Sequence, residues 1–146
     1  MAAATPPSAR LTDEENTAVD AASWTPETLA ALANALEVDV TPLGADGSAR
    51  PSRTIWSIGV GADLYVRSWK GRRAVWFQDA IASGRGEIAV TGGGASQPVS
   101  FEEVDAAAPV QSEISATFLT KYAADGYASS MNEQGPLEST LRLIPR

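Results

Sequence analysis

Arg53-Thr54-Ile55-Trp56-Ser57-Ile58-Gly59-Val60-Gly61-Ala62-Asp63-Leu64-Tyr65-Val66-Arg67-Ser68 reads as a hairpin. Residues 54–60 alternate about a strand axis, with Ile55, Ser57 and Gly59 on one face and Trp56, Ile58 and Val60 on the other. Gly61-Ala62-Asp63 supplies turn chemistry, and residues 64–68 return as a second strand. In an antiparallel pair, residues that enter one strand and leave the next are neighbours. Arg53 and Thr54 are therefore expected to meet Arg67 and Ser68 at one end of the hairpin. Ordinary cross-strand surface pairing accounts for the same spacing.

Charge gathers in the same region. Seven of the eleven basic residues (Arg50, Arg53, Arg67, Lys70, Arg72, Arg73 and Arg85) lie within residues 50–85, alongside only Asp63 and Asp79. That stretch carries 7 − 2 = +5. The remaining four bases and sixteen acids give −12, and the two sum to the chain's −7. Its densest part, Arg67-Ser68-Trp69-Lys70-Gly71-Arg72-Arg73, combines guanidinium forks, an ammonium, a hydroxyl and glycine-flanked amides, the groups that surround a phosphate or carboxylate. A solvated basic loop is the competing reading. Among the nearby tryptophans, Trp69 sits between charges and suits a ligand or interface contact, whereas Trp56 and Trp76 suit core filling.

The rest of the chain narrows the chemistry. With 146 residues and 44% hydrophobic content it is long enough for one domain with one core. A pI near 4.5 argues against nucleic acid as partner. Cys and His are both absent, which removes thiolate chemistry and the commonest metal ligand and general base; no metal constellation is found. No apolar run approaches the roughly 18 residues of a membrane span, and no signal-peptide core is evident, so a cytoplasmic protein that does not associate with membranes is the expectation. Neither a dinucleotide fingerprint nor a phosphate-loop motif is present.

Residues 1–22 are expected to be a disordered or loosely helical tail, and residues 23–146 a single domain. Thr25-Pro26-Glu27 starts a helix. Strands are expected over residues 36–42, 54–60, 64–68, 87–91, 97–103 and 139–144. Residues 74–83 form a helix stopped by Gly84. Pro109 opens another, in which Val110, Ile114, Phe118 and Tyr122 repeat every four residues. Residues 123–136 are read as an irregular loop. Six short strands joined mostly by hairpins, with added helices, predict a mainly β, α+β fold: a small antiparallel barrel.

These motifs in order, Thr54-Ile55-Trp56, Asp63-Leu64-Tyr65-Val66-Arg67-Ser68, Gly71, Trp76-Phe77, Gly84-Arg85-Gly86, residues 99–101, Lys121-Tyr122 and Thr140-Leu141-Arg142-Leu143, resemble the bacterial DUF2255 family over residues 24–146. That family is similar to the FMN-binding split-barrel superfamily, which includes pyridoxamine phosphate oxidases and deazaflavin (F420)-dependent reductases. The resemblance implies a six-stranded split barrel that forms a homodimer, with FMN or F420 at the interface. It implies phosphate contacts from Arg53, Thr54, Arg67, Ser68, Lys70 and Arg72, and a ring pocket lined by Trp69 and Trp76.

The function it implies is a flavin- or deazaflavin-dependent oxidoreductase acting on a small organic substrate, in which the cofactor carries the hydride chemistry. A cofactor-independent isomerase, cyclase or hydrolase on the same barrel would draw on Tyr65, Tyr122, Asp79 and Arg85. A non-catalytic ligand-binding module is the third reading, because one fold supports many functions.

Overall fold

The structure, a computed structural model, describes residues 23–146. The expected tail over residues 1–22, with its short helix, lies outside the described residues. In chain order the elements are α1 (Pro26–Asn34), β1 (Val38–Pro42), β2 (Arg53–Ile55), β3 (Ser57–Val60), β4 (Asp63–Arg67), α2 (Val75–Ser83), β5 (Arg85–Val90), β6 (Gln97–Glu103), α3 (Val110–Lys121), α4 (Gln134–Leu137) and β7 (Thr140–Pro145). All seven strands belong to one antiparallel sheet with the order β2-β1-β5-β6-β7-β4-β3. The fold is α+β, a nearly closed barrel with helices packed around it.

The count is seven rather than six because the expected strand over residues 54–60 breaks at Trp56. Its first half pairs with β1, Val38 opposite Ile55 and Val40 opposite Arg53. Its second half pairs with β4, Ser57 opposite Val66 and Val60 opposite Asp63. The two outermost strands of the sheet are therefore consecutive in sequence, with Trp56 alone between them. The chain itself joins the two edges where no backbone ladder does, which leaves little exposed strand edge. The stretch read as an irregular loop, residues 123–136, instead holds a 3-10 turn over Ala128–Asn132 and most of α4.

Local signals fix several boundaries. Thr25 caps α1 by accepting from the Thr28 amide at 3.2 Å, with Pro26 in the first turn. Gly84 ends α2 at φ 74°, in the left-handed region open to glycine. Gly86 serves a different purpose: a Cβ there would sit 2.5 Å from the Thr41 carbonyl oxygen and 2.8 Å from the Phe101 ring. The β1 backbone and the Phe101 ring occupy the space a side chain would need.

Strand alternation sorts the apolar residues into two cores. Val38, Val40, Leu64, Val66, Ile88, Val99, Phe101, Leu141 and Leu143 fill the barrel with Leu32, Trp76, Phe77 and Ala80 from α1 and α2. The opposite face of β3 and β4 presents Ile58 and Tyr65 to Ile114, Phe118 and Tyr122 on α3, and to Ala128 and Met131. The four-residue repeat from Val110 to Tyr122 is the stripe that seats α3 there. Side chains from β3 and α3 bind the C-terminal end of α1. Ser57 Oγ donates to the Leu32 carbonyl at 2.7 Å, Tyr122 Oη to the Leu36 carbonyl at 2.8 Å, and Lys121 Nζ to the carbonyls of Ala33 and Ser57. The carbonyls of Leu32, Ala33 and Leu36 lie at or just beyond the end of α1, where no helical backbone partner remains. No helix among the described residues is long and apolar enough to cross a membrane.

Two stability predictions result. Gly86→Ala lowers the unfolding free energy by about 1–3 kcal/mol, whereas Gly126→Ala, with open space around its Cβ, stays within about 0.5 kcal/mol; denaturant midpoints check both. Burial lowers the Lys121 ammonium from 10.5 to about 8. Between those values the unfolded chain holds a proton that the folded chain has released, so unfolding takes up a proton and raising the pH favours the folded state. The stability of the native chain relative to Lys121→Met therefore rises from about pH 8 towards pH 10.5. A difference that is flat or falls across that window contradicts the assignment.

Candidate functional site

Alternation along β4 decides where Arg67 points. Leu64 and Val66 face the barrel interior, so Tyr65 and Arg67 face the layer beneath α3. Arg67 is fully buried there. Its Nε donates to Thr140 Oγ1 at 2.9 Å, its Nη1 to the Met131 carbonyl at 3.0 Å and Asn132 Oδ1 at 2.9 Å, and its Nη2 to Gln111 Oε1 at 2.7 Å and Ser115 Oγ at 3.1 Å. The five N–H donors of a guanidinium thus have one partner each within the chain, and every partner is neutral. The guanidinium also lies 5.4 Å from the centre of the Phe118 ring. Among the described residues no carboxylate pairs with it, and desolvation lowers its pKa from 12.5 to about 10.

The rest of the expected phosphate set divides between two hollows. Arg53, Thr54, Ser68, Lys70 and Trp76 line one cleft of about 280 Å³, together with Ile55, Ala74 and Val75. Of the four residues expected to converge at the hairpin end, Arg53, Thr54 and Ser68 share this cleft, while Arg67 turns the other way, beneath α3. Ser68 is fully buried, and its Oγ has no hydrogen-bond partner among the described residues. Its backbone is held on both sides, the amide donating to the Ser139 carbonyl at 3.2 Å and the carbonyl accepting from Ser139 Oγ at 3.1 Å. Arg53 and Lys70 are exposed, and neither forms an ion pair among the described residues; Arg53 Nη1 donates only to the Ser52 carbonyl, at 3.1 Å. Thr54 Oγ1 donates to Asp39 Oδ1 at 2.6 Å. Arg72 lies elsewhere, bonded to Glu103 at 2.8 Å and to the Glu138 carbonyl at 3.0 Å, in a hollow with Asp105.

A second pocket of about 370 Å³ adjoins the first across Ile55, which lines both. Trp56, Arg67, Trp69, Tyr127 and Met131 complete it. Trp56 stacks on Tyr122 with ring centres 3.9 Å apart and planes 5° apart, and Trp69 meets Tyr127 edge-on at 6.3 Å. Trp76, expected beside Trp69, is buried against Phe77 and lines the cleft of Arg53 and Lys70 instead. Trp56, assigned to core filling from sequence, is half-buried and forms a wall of this pocket. Tyr127 and Met131 carry no periodic signal; the one hint is an aromatic residue standing after Gly126 in a polar stretch.

None of the four acid–base candidates lines either pocket. Tyr122 Oη bonds the backbone of Leu36 and Ser57, and burial pushes its pKa up to about 12. Tyr65 is buried on the α3 side, its pKa raised chiefly by desolvation. Asp79 lies 3.5 Å from Arg50 on α2, and Arg85 opens β5 opposite Ser100.

The DUF2255 family model, described as uncharacterized proteins conserved in bacteria, matches residues 28–143, and the chain belongs to this family. No curated protein matches it by sequence. Its fold is similar to that of a Listeria innocua protein assigned as a pyridoxamine 5'-phosphate oxidase (TM-score 0.53, 12% identity, 82% of this chain and 90% of that one). It is also similar to HutZ, the heme storage protein of Vibrio cholerae (0.55, 9%, 83% and 87%), and to a FAD- and heme-binding protein of Mycobacterium smegmatis (0.51, 15%, 84% and 65%). At these identities the likeness shows the split-barrel fold alone.

Removing the Arg67 side chain takes a donor from five acceptors, three of them on the buried residues Thr140, Met131 and Gln111. Arg67→Ala lowers the unfolding free energy by roughly 3 kcal/mol or more, while Lys70→Ala changes it by less than about 0.5 kcal/mol. Denaturant unfolding of both variants checks the contrast. An Arg67→Ala loss below about 1 kcal/mol contradicts the structural role.

Proposed function

We propose that this DUF2255 protein binds a phosphorylated flavin or deazaflavin and uses it as an oxidoreductase on a small organic substrate. The observation that carries the reading is the cleft of Arg53, Thr54, Ser68 and Lys70. It combines, among the described residues, two cations without an ion pair and a buried hydroxyl without a hydrogen-bond partner. A buried hydroxyl left unbonded costs free energy, and a phosphate oxygen is an acceptor that would relieve it. Arg53 and Lys70 would neutralise the phosphate charge from the rim, with Ser68 below it and Thr54 Oγ1 already oriented by Asp39.

A bound flavin would supply hydride transfer. The chain's own residues would bind and orient: Ile55 joins the phosphate cleft to the aromatic pocket, and Trp56, held flat against Tyr122, would present a rigid face. None of Tyr65, Tyr122, Asp79 and Arg85 lines either pocket, which favours cofactor-borne chemistry over acid–base work by the chain alone. Two of the structural neighbours bind or store heme by name. This sequence holds no His or Cys, so Tyr and Met would be the remaining axial side chains of the usual kinds, and the phosphate-suited cleft favours a flavin. Trp69, Val75 and Tyr127 are large apolar residues exposed beside the two pockets, and a second copy of the chain in a homodimer would cover them.

Titration with FMN, F420 and riboflavin tests the assignment. FMN or F420 binds, and riboflavin, which lacks the phosphate, binds at least about tenfold more weakly than FMN. Arg53→Ala/Lys70→Ala weakens FMN by roughly 10- to 100-fold and leaves riboflavin nearly unchanged. Equal affinity for FMN and riboflavin, or no uptake of either phosphorylated cofactor, overturns it.

A further inference from the structure

Among the described residues Arg67 is a charge buried without a counter-charge, and it also lines the aromatic pocket. Five neutral dipoles satisfy its hydrogen bonds, yet dipoles at the guanidinium do not remove the net positive charge. In a poorly solvated site the field of that charge reaches further than it would in water. The other pocket residues, Ile55, Trp56, Trp69, Tyr127 and Met131, are aliphatic, aromatic or thioether side chains. None of them carries a compensating negative charge.

We propose that the pocket bounded by Trp56, Trp69, Tyr127 and Met131 binds a planar aromatic anion, which the buried guanidinium of Arg67 selects by charge. The aromatic walls supply shape. Trp56 is fixed by its stack on Tyr122, and Trp69 is steadied by its edge contact with Tyr127, so a flat ring enters a pocket largely formed before binding. Selection acts through space, because the donors of Arg67 are already committed. The ligand therefore gains a favourable potential without displacing a structural bond. A volume of about 370 Å³ falls within the usual range for small-molecule sites. This assignment is separate from the phosphate cleft and does not require a flavin there.

Matched probes of the same shape test it in the native protein: 2-naphthoate against 2-naphthamide, each titrated by calorimetry. The carboxylate binds about tenfold more tightly than the amide. Arg53→Ala/Lys70→Ala removes the nearest exposed cations and keeps that ratio within about twofold, because the selecting charge lies inside the protein. Trp69→Ala weakens both probes and preserves their ratio. FMN titrated against bound naphthoate identifies the source of the ring: displacement gives the pocket to the cofactor's ring, retention gives it to a separate substrate, and both uphold an anion-selective ring site. Equal or tighter binding of the amide overturns the proposal. So does loss of the preference in the double variant, or failure of both probes to bind. If FMN and riboflavin behave as expected while the naphthyl pair shows no preference, this inference alone fails.

Discussion

A guanidinium can be buried without a carboxylate only if dipoles surround it, and the placement of Arg67 organises the structure around that requirement. Its delocalised, weakly hydrated charge makes arginine the cation best suited to such a setting. The five acceptors come from β7 through Thr140, from α3 through Gln111 and Ser115, and from the 3-10 turn through Met131 and Asn132. Those acceptors are themselves tied down. Gln111 Nε2 donates to the Asp105 carbonyl at 3.2 Å, Asn132 Nδ2 to the Ser115 carbonyl at 3.2 Å, and Thr140 Oγ1 to the Leu137 carbonyl at 2.9 Å. One side chain thereby links the barrel wall, the covering helix and the connection that returns the chain to β7. The cost of leaving any of these groups unpaired makes the arrangement cooperative.

This inward commitment shapes the surface. With Arg67 held beneath α3, the exposed cations at the cleft are Arg53 and Lys70, and the partnerless hydroxyl of Ser68 lies between the elements that carry them. The break at Trp56 matters as much. It sends Arg53 and Thr54 to one sheet edge and Ser57 to the other, and it turns the indole onto Tyr122 where it walls the adjoining pocket. Strand topology, a cationic cleft and an aromatic pocket thus meet within a few residues of one strand break.

Much of this was legible in the residues. Period-2 alternation in residues 64–68 and 97–103, the capping signal at Thr25-Pro26, the stop at Gly84 and the four-residue stripe from Val110 to Tyr122 each named an element that the structure contains. Local patterning records such features because they satisfy local backbone and burial demands. The break at Trp56 left no local mark: Ile55-Trp56-Ser57-Ile58 alternates as an unbroken strand would, and only the non-local partners, Val38 on one side and Val66 on the other, divide it. The role of Arg67 was hidden for a related reason. Alternation sets it opposite Leu64 and Val66, which in a barrel with a bare outer face would mean solvent. That α3 covers this face depends on a helix more than forty residues later in sequence. Arg72 was grouped with the anion site because charge density along the chain ignores Glu103 and Glu138, which lie far off in sequence and adjacent in space.

Under the proposed function the cleft of Arg53, Ser68 and Lys70 takes the anionic end of a cofactor while Arg67 stays committed to the protein interior. A crystal structure of the chain with bound FMN tests it most directly. The account predicts phosphate density within hydrogen-bonding distance of Ser68 Oγ and beside Arg53 and Lys70, with the five bonds of Arg67 unchanged. Phosphate bound by Arg67 after release of Gln111 or Thr140, or located away from Ser68, would contradict it.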